Sequence, residues 1–475
     1  MRRLLLLIIL LYINFLSAQV FDKETIKFSG NTDNRINLVI LSEGYQTSEL
    51  DKFIDDAINF KNAMFSQSPF IEYAKYFNVY AIKVPSNESG ADHPGTAFDT
   101  FEPAEPIVTA DTYFNATFDA FGYHRYLYYG IDYANAASAE SKIISVLADN
   151  FPSYDQALIL VNSTIYGGTG GPFPVASRGS YNGVSANELA IHELGHSLFD
   201  LKDEYELPAG YYAEAINMTQ EINPSTIKWK NWLNINAVGI YPYGSSGEPS
   251  TWNRPHKNCK MRYLGVPFCS VCKEGIIEKI HALVSPIDNY TPVSNTIDDP
   301  SFPIGFQLAL IEEPNPNRLT TRWTLNTMTI ANNVNNVSLT ETDLNTGTND
   351  LLAVVHDATD LLRVTNHDTF HVYTVAWTIN YSTFGIEDIT SKVAQYSIDM
   401  HPNPASSILN LKFKSDHTDA LIVKIISIDG KILKTASITN TVLNTIDISH
   451  FSQGIYMANF YANNTLIASK RIVKN

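Results

Sequence analysis

The chain predicts a multidomain α/β protein: an α+β N-terminal unit and a second, α/β unit, followed by two small β-sandwich domains. Three observations lead there. At 475 residues the chain exceeds what one core organises, since single cores stop growing beyond roughly 250–300 residues. Its first half alternates strand-like apolar runs with segments of helical period. Beyond Ser285 the composition turns to Pro, Asn, Asp and Thr, and then to β-branched and aromatic runs bounded by turn residues.

The elements follow in order. Met1-Arg2-Arg3, the apolar run Leu4 to Leu16 and the small residues Ser17-Ala18 read as a signal peptide over residues 1–18, cut after Ala18. No cysteine follows it, which argues against a lipoprotein anchor. Residues 19–130 are expected to form the N-terminal domain. Ile36 to Ile40 and Phe77 to Val84 read as strands, and Leu50 to about Phe65 as a helix with Leu50, Phe53, Ile54, Ala57 and Phe60 on one face. Residues 85–130 read as irregular structure or hairpins. Residues 131–285 form the expected catalytic domain, with a buried strand at Ala157–Val161 and a closing helix from Val271 to Leu283. Residues 286–303 read as a linker and 304–395 as an accessory β-sandwich, with turn signals at Pro314–Asn317 and Asn345–Gly347 and a strand at Phe370–Ile379. Residues 396–475 repeat that grammar, with strands at Leu409–Phe413, Ala420–Ile428 and Ile455–Phe460 and a hairpin turn at Asp429-Gly430-Lys431.

The chemistry concentrates in Ile191-His192-Glu193-Leu194-Gly195-His196, a complete H-E-x-x-H. Histidines one helical turn apart share a face, so both imidazoles can reach one ion, with the glutamate beside it as general base. Ser185-x-x-Glu188 reads as a capping box upstream. Ala190, Leu194, Leu198 and Leu201 form a core-facing stripe that leaves both histidines aside. A catalytic zinc takes three protein ligands and an open position. In an unbroken helix Asp203 would lie about 10 Å from His196, at a rise of ~1.5 Å per residue. The helix is therefore expected to end soon after Leu198 and the chain to turn back, offering Asp200, Asp203 or Glu204.

The run from His192 to Tyr205 resembles the H-E-x-G-H…D-E-Y core of the bacterial IgA-peptidase family of zinc metallopeptidases. Other blocks agree with that family: Leu41-Ser42-Glu43-Gly44-Tyr45; Lys83 to Gly90 with Asp92-His93-Pro94-Gly95; Leu160-Val161-Asn162 with Tyr166-Gly167-Gly168 and Gly170-Gly171; Cys259-Lys260-Met261-Arg262 with Pro267-Phe268-Cys269 and Cys272. The resemblance implies a metzincin-like zinc endopeptidase. Metzincins turn on a glycine three residues after the second histidine and take the third ligand three later. Phe199 and Lys202 stand there in this chain, so Asp203, displaced by one, ranks first as ligand, Glu204 second and Asp200 third. The resemblance also implies that the strand and glycine loop at 157–171 can rim a substrate cleft, the plain reading being a surface turn. Met261 matches the turn beneath the zinc or is simple core packing. Tyr263 stands where some metzincins support the oxyanion, although a surface or core tyrosine is the default. Asp92 and His93 read as turn chemistry. The C-terminal stretch, with Pro402-Asn403-Pro404-Ala405, Gly454-Ile455-Tyr456 and a basic last strand at Lys470–Lys474, resembles a type IX secretion sorting domain.

Three cysteines lie between 259 and 272. Export allows one disulfide involving Cys259 plus a free thiol; the rival is a structural zinc site from His256, Cys259, Cys269 and Cys272. The net charge of −16 argues against nucleic acid or anionic membrane as partner, and no later segment is apolar enough to span a membrane. The expectation is a secreted zinc endopeptidase in which His192, His196 and Asp203 bind Zn2+ and Glu193 is the general base. Its partners are then a protein or peptide substrate and the type IX secretion machinery. The alternative is a catalytically silent surface binding protein for a glycan or host protein, for which an intact Glu193 would be superfluous.

Overall fold

The run Ile36–Glu43 is buried at all 8 positions, so it needs cover on both faces. In the computed structural model, which describes residues 19–208, 210–311, 318–365, 367, 371–382, 396–415, 421–439 and 443–475, that run is central in a sheet. The expected signal peptide and the Pro314–Asn317 turn lie outside the described residues.

The sheet has six strands: β1 (Lys23–Lys27), β2 (Ile36–Glu43), β3 (Phe77–Ile82), β4 (Gln156–Val161), β5 (Gly168–Thr169) and β6 (Val175–Ser177), in the order β1-β3-β2-β4-β6-β5. β3, β2, β4 and β6 run parallel, and β1 and β5 close the two ends antiparallel. Alternation along β2 sends Leu38 and Ile40 to one face, where they meet Phe53, Ala57 and Phe60 of α1 (Leu50–Phe65). Val39 and Leu41 face the other way, against Ile143, Val146 and Leu147 of α2 (Tyr133–Asn150). Each such side chain contributes on the order of 1.5–3 kcal/mol by leaving water. On the α1 face lie α3 (Ala186–Ser197), through Ala190 and Leu194, and α4 (Ser270–Leu283), through Ile276 and Ile280. Two short hairpins, β7 (Ser180–Tyr181) with β8 (Val184–Ser185) and β9 (Tyr241–Pro242) with β10 (Asn253–Arg254), flank the sheet in sequence.

Two expected boundaries change. Strands from both sides of residue 130 hydrogen-bond in one sheet, so 19–130 and 131–285 share a single α/β body. Parallel pairing needs long crossovers, and here β2 pairs with β4 across more than a hundred residues of chain. The stretch 286–303 is not a bare linker either. It carries β11 (Ile287–Thr291) and β12 (Thr296–Asp298), which join β13 (Ile304–Leu310), β14 (Leu319–Leu325), β15 (Met328–Asn332), β16 (Asn336–Leu339), β17 (Gly347–Asp357) and β18 (Val372–Tyr381) in two facing sheets. Strand alternation fills the space between them, and Trp323 and Trp377 stack there at 5.8 Å.

This sandwich is keyed to the α/β body by buried polar contacts. Asp357 accepts from the Tyr73 hydroxyl at 2.5 Å and meets His281 Nε2 at 2.8 Å. Arg35 clasps both oxygens of Asp288 at 2.5 and 2.7 Å. The chain divides into two compact units, Met1–Asn380 and Tyr381–Asn475. The second is a sandwich of its own. β19 (Tyr396–His401), β20 (Ile408–Ser415) and β23 (Leu443–Asp447) form one sheet; β21 (Leu421–Ser427), β22 (Ile432–Ile438), β24 (Gly454–Ala462) and β25 (Thr465–Lys474) form the other. Its core includes Leu409, Leu411, Val423, Ile425, Phe460 and Ile472. Gly430, at φ +81, makes the tight turn between β21 and β22.

Removing Asp357 leaves His281 and Tyr73 without their buried acceptor. Asp357→Ala is expected to cost about 3–5 kcal/mol, read as a lower midpoint in denaturant unfolding of the intact protein.

Candidate metal centre and active site

α3 starts at Ser185, whose side chain accepts from the Asn187 N–H at 3.2 Å. Glu188 does not complete a capping box. Its carboxylate is taken by the buried Lys260 ammonium and by Gln67 Nε2, because a buried cation outbids a solvated cap. The stripe of Ala190, Leu194, Leu198 and Leu201 lies in the core.

The helix ends where the reach argument required. Asp200 takes a left-handed conformation, φ +57, and its N–H bonds the His196 carbonyl at 3.2 Å, an αL cap built on aspartate instead of glycine. The Leu201 N–H then returns to Gly195 O at 2.9 Å. Asn217, fully buried, clamps Lys202 from both sides of its peptide, accepting from its N–H at 2.9 Å and donating to its carbonyl at 2.7 Å. The result brings Asp203 back over the helix.

Three donor atoms meet there. His192 Nε2 and His196 Nε2 are 3.2 Å apart, and Asp203 Oδ1 lies 3.0 Å from the first and 3.1 Å from the second. The other ring nitrogens are committed: His192 Nδ1 to Lys260 O at 2.9 Å and His196 Nδ1 to Leu201 O at 2.7 Å. A carbonyl only accepts, so both Nδ1 atoms carry hydrogen and both Nε2 lone pairs face inward. Two lone pairs and a carboxylate oxygen converging on one point repel unless a cation lies among them. The residues therefore fit a metal ion. The electrostatics say the same for protons. Burial disfavours a charged His196, yet the hydrogen bond and charge of Asp203 outweigh it and hold the imidazole up at about 9. Burial alone would raise Asp203, but both imidazoles pull it below the ordinary carboxylate range.

Glu193 stands beside this triangle, with a ligand atom within 4.8 Å of both histidines. Burial pushes its carboxyl pKa up, against the opposing pull of His192 and His196. A side chain at position 170 would collide with Glu193 Oε2, so Gly170 lets the loop after β5 approach the carboxylate. The rim is thus the outermost strand β5 and its loop. The apolar run at 157–161 is interior, between β2 and β6. Met261 lies beneath the motif, since a Cβ on Gly195 would come within 2.9 Å of its sulfur. Tyr263 is 49% exposed, and no contact places it at the site. Two tyrosines with no role assigned from sequence stand nearby: Tyr205, raised by burial and by the charges of Asp203 and Glu193, and Tyr126, raised by burial and by Glu193 and Asp203.

The rival ligands go elsewhere. Asp200 pairs with Lys279 at 2.8 Å. Glu204 is fully buried and accepts from Cys272 Sγ and Asn217 Nδ2, each at 3.2 Å. It joins Cys259, Cys269 and Cys272 in one cluster, where His256 was expected; His256 instead bonds within its own turn, to Asn258. Cys259 and Cys272 approach to 3.6 Å as free thiols.

With this geometry in hand, the chain can be set beside known proteins. Residues 25–245 match the family IgA Peptidase M64. Members of that family are metallopeptidases, in keeping with the donor set. Residues 399–475 match the secretion system C-terminal sorting domain. That tail places the protein on the type IX route, secreted or at the cell surface, and among the described residues no helix is long and apolar enough to cross a membrane. No curated protein matches the chain. Similar solved structures include a Faecalibacterium prausnitzii beta-glucuronidase, 10% identical over 33% of this chain and 32% of that one, TM-score 0.15. The fibronectin(III)-like modules of Clostridium thermocellum CbhA are also 10% identical, over 40% of this chain and 91% of that one, TM-score 0.15. The M64 match contains His192, Glu193, His196 and Asp203. It also contains the blocks at Ser42–Tyr45 and Lys83–Gly90, which bond each other: Gly90 N–H to Gly44 O at 2.9 Å, and Gly44 N–H to Ser86 Oγ at 3.0 Å. Met261 and the cysteines lie beyond its end.

Asp203→Ala removes one of the three donors. Metal affinity is expected to fall by more than the ~10–100-fold that loss of a supporting hydrogen bond costs. Equilibrium dialysis with metal analysis reads this, with an unchanged circular dichroism spectrum.

Proposed function

We propose that the protein is a secreted zinc-dependent endopeptidase of metzincin-like arrangement, acting on peptide bonds of extracellular proteins. The observation that carries this reading is the triangle of His192 Nε2, His196 Nε2 and Asp203 Oδ1, with edges of 3.0–3.2 Å and Glu193 at its side. Tetrahedral zinc with bonds of ~2.0–2.1 Å separates its ligands by about 3.3 Å. Two nitrogens and one carboxylate oxygen are a zinc donor set, and three protein ligands leave a position open. When bound, Zn2+ supplies Lewis acidity, polarising a carbonyl and lowering the pKa of water.

The chain's own groups do the rest. Glu193 accepts the proton of the attacking water and delivers it to the departing amine. A carboxyl raised by burial suits that exchange better than an exposed one. The Lys260 and Leu201 carbonyls orient the two imidazoles. Burial and the charge of Asp203 raise the Tyr205 hydroxyl, which keeps its proton beside that carboxylate. Asp200 supplies the turn that a metzincin makes with glycine, one residue late, and the ligand is late by one as well. Met261 beneath Gly195 supports the same arrangement. A protein that only binds a glycan or host surface has no use for Glu193.

Two variants test the reading. Glu193→Gln should keep its metal and lose about 10²–10⁴-fold in kcat against a panel of protein substrates; undiminished hydrolysis would sink the mechanism. Gly170→Ala should displace the same carboxylate by contact alone, lowering kcat by about 10²-fold, the scale of a ~1 Å misplacement. Its metal content should match wild type.

A further inference from the structure

Between the end of β3 at Ile82 and the start of α2 at Tyr133 the chain holds no strand or helix beyond isolated bridges and one 3-10 turn at Ala120–Gly122. Loops longer than ~12–15 residues without such structure are uncommon in compact domains, and this one is ordered in part by apolar residues packed in the core, Phe114, Phe118 and Leu127 among them. It also holds an unusual set of buried polar atoms. His93 Nε2, Glu102 Oε1, Asp119 Oδ1 and His124 Nδ1 are all buried without a hydrogen-bond partner. One such residue would be an anomaly; four that face one another form a site. We propose that His93, Glu102, Asp119 and His124 bind a second divalent metal ion, zinc by donor chemistry, which staples this loop and is separate from the centre at His192.

The geometry is that of a closed coordination shell. Each residue offers one ligand atom, and these lie within 4.8 Å of one another. His124 Nδ1 is 3.6 Å from Glu102 Oε1 and 3.7 Å from Asp119 Oδ1, the two unpartnered oxygens, and His93 Nε2 is 3.5 Å from Asp119 Oδ2 and 4.0 Å from Glu102 Oε2. These gaps exceed a hydrogen bond and approach the ligand spacing around one ion. In three of the four residues the second polar atom of the side chain is bonded to the loop's own backbone. His93 Nδ1 meets Pro106 O at 2.9 Å, which fixes its hydrogen there and leaves the Nε2 lone pair inward. Asp119 Oδ2 accepts from the Thr96 N–H at 2.9 Å, and Glu102 Oε2 from the Ala104 N–H at 2.8 Å. His93 is 1% exposed and Asp119 0%.

Charge argues in the same direction. Asp119 is fully buried and Glu102 largely so, and among the described residues their only ion-pair partners are the two histidines. Buried charge without compensation is costly, and a divalent cation cancels both carboxylates while leaving the imidazoles neutral. Two nitrogens and two carboxylate oxygens suit zinc, whereas calcium takes six to eight oxygens. Four protein donors leave no open position, which marks a structural site. Asp119 holds a left-handed conformation, φ +56, of the kind an aspartate tolerates when its side chain is bound in place. The Asp-His-Pro-Gly stretch is therefore more than a turn: Asp92 serves the loop, accepting from the Ala110 N–H at 2.7 Å, while His93 faces the cluster.

The staple has a reach into the pocket. Just after His124, the Arg125 carbonyl accepts from the Gly168 N–H at 3.2 Å and the Leu127 carbonyl from Thr169 Oγ1 at 2.8 Å. Tyr126, between them, feels Glu193 and Asp203. An ion at His124 thus fixes the wall beside β5.

The test is a metal count, which does not depend on peptidase activity. Zinc-saturated protein is dialysed against metal-free buffer and analysed by mass spectrometry. His124→Ala should hold one equivalent less than wild type, Asp203→Ala a different equivalent, and the double variant two fewer. A His124→Ala variant with the wild-type count overturns the proposal. Should that variant fail to fold, anomalous diffraction at the zinc edge from wild-type crystals decides: a peak bonded to these four side chains supports the site, and no peak there in zinc-saturated crystals refutes it. The cysteine cluster does not confound the difference, since none of these variants touches it.

Discussion

Two imidazole nitrogens held 3.2 Å apart with their lone pairs facing set the terms for everything around them. Nothing in a peptide chain brings such atoms together without opposing force. The repulsion has to be met by backbone carbonyls that lock the tautomers, by a carboxylate that returns over the helix, and by the cation that the arrangement calls for. Those carbonyls belong to Lys260 and Leu201, from segments far apart in sequence. The Lys260 segment is fixed in turn by a buried ion pair to Glu188 on the motif helix. The site is thus closed on itself, each piece holding the one that orients it.

The α/β body makes that closure affordable. Buried β2 and β4 place α3 against one face of the sheet and leave β5 at its edge beside Glu193. Glycine at 170 allows the edge loop to approach the carboxylate, and glycine at 195 allows Met261 to lie beneath the helix. Bonded to β5, the long irregular segment from 83 to 132 carries Tyr126. Its order comes from apolar residues in the core, Phe114, Phe118 and Leu127 among them, and from buried polar convergence, more than from regular secondary structure.

Comparison of the sequence reading with the structure shows where local signals suffice. Leu50–Phe65 is helical with the expected face buried, since its apolar spacing leaves a single amphipathic solution. The turn after Leu198 followed from helix rise alone, because no other path returns a carboxylate to the histidines. Glu188 shows the opposite case. Its spacing from Ser185 satisfied the capping pattern, but a lysine seventy residues downstream took it. Glu204 ranked second to Asp203, and side-chain direction separates the two. Adjacent residues on an extended stretch point opposite ways, one to the imidazoles and one to the cysteines.

By itself the sequence determined the helix, its two histidines and its glutamate, the sorting grammar of the C-terminal stretch and the runs that become strands. These are local: periodicity, spacing and composition act within a few turns of chain. The tertiary structure alone decided which carboxylate joins the histidines, that the halves on either side of residue 130 share one sheet, that Glu204 belongs to the thiols, and that His93, Glu102, Asp119 and His124 converge. Those outcomes depend on contacts between distant segments, where burial and unpaired lone pairs, not spacing, determine the partner.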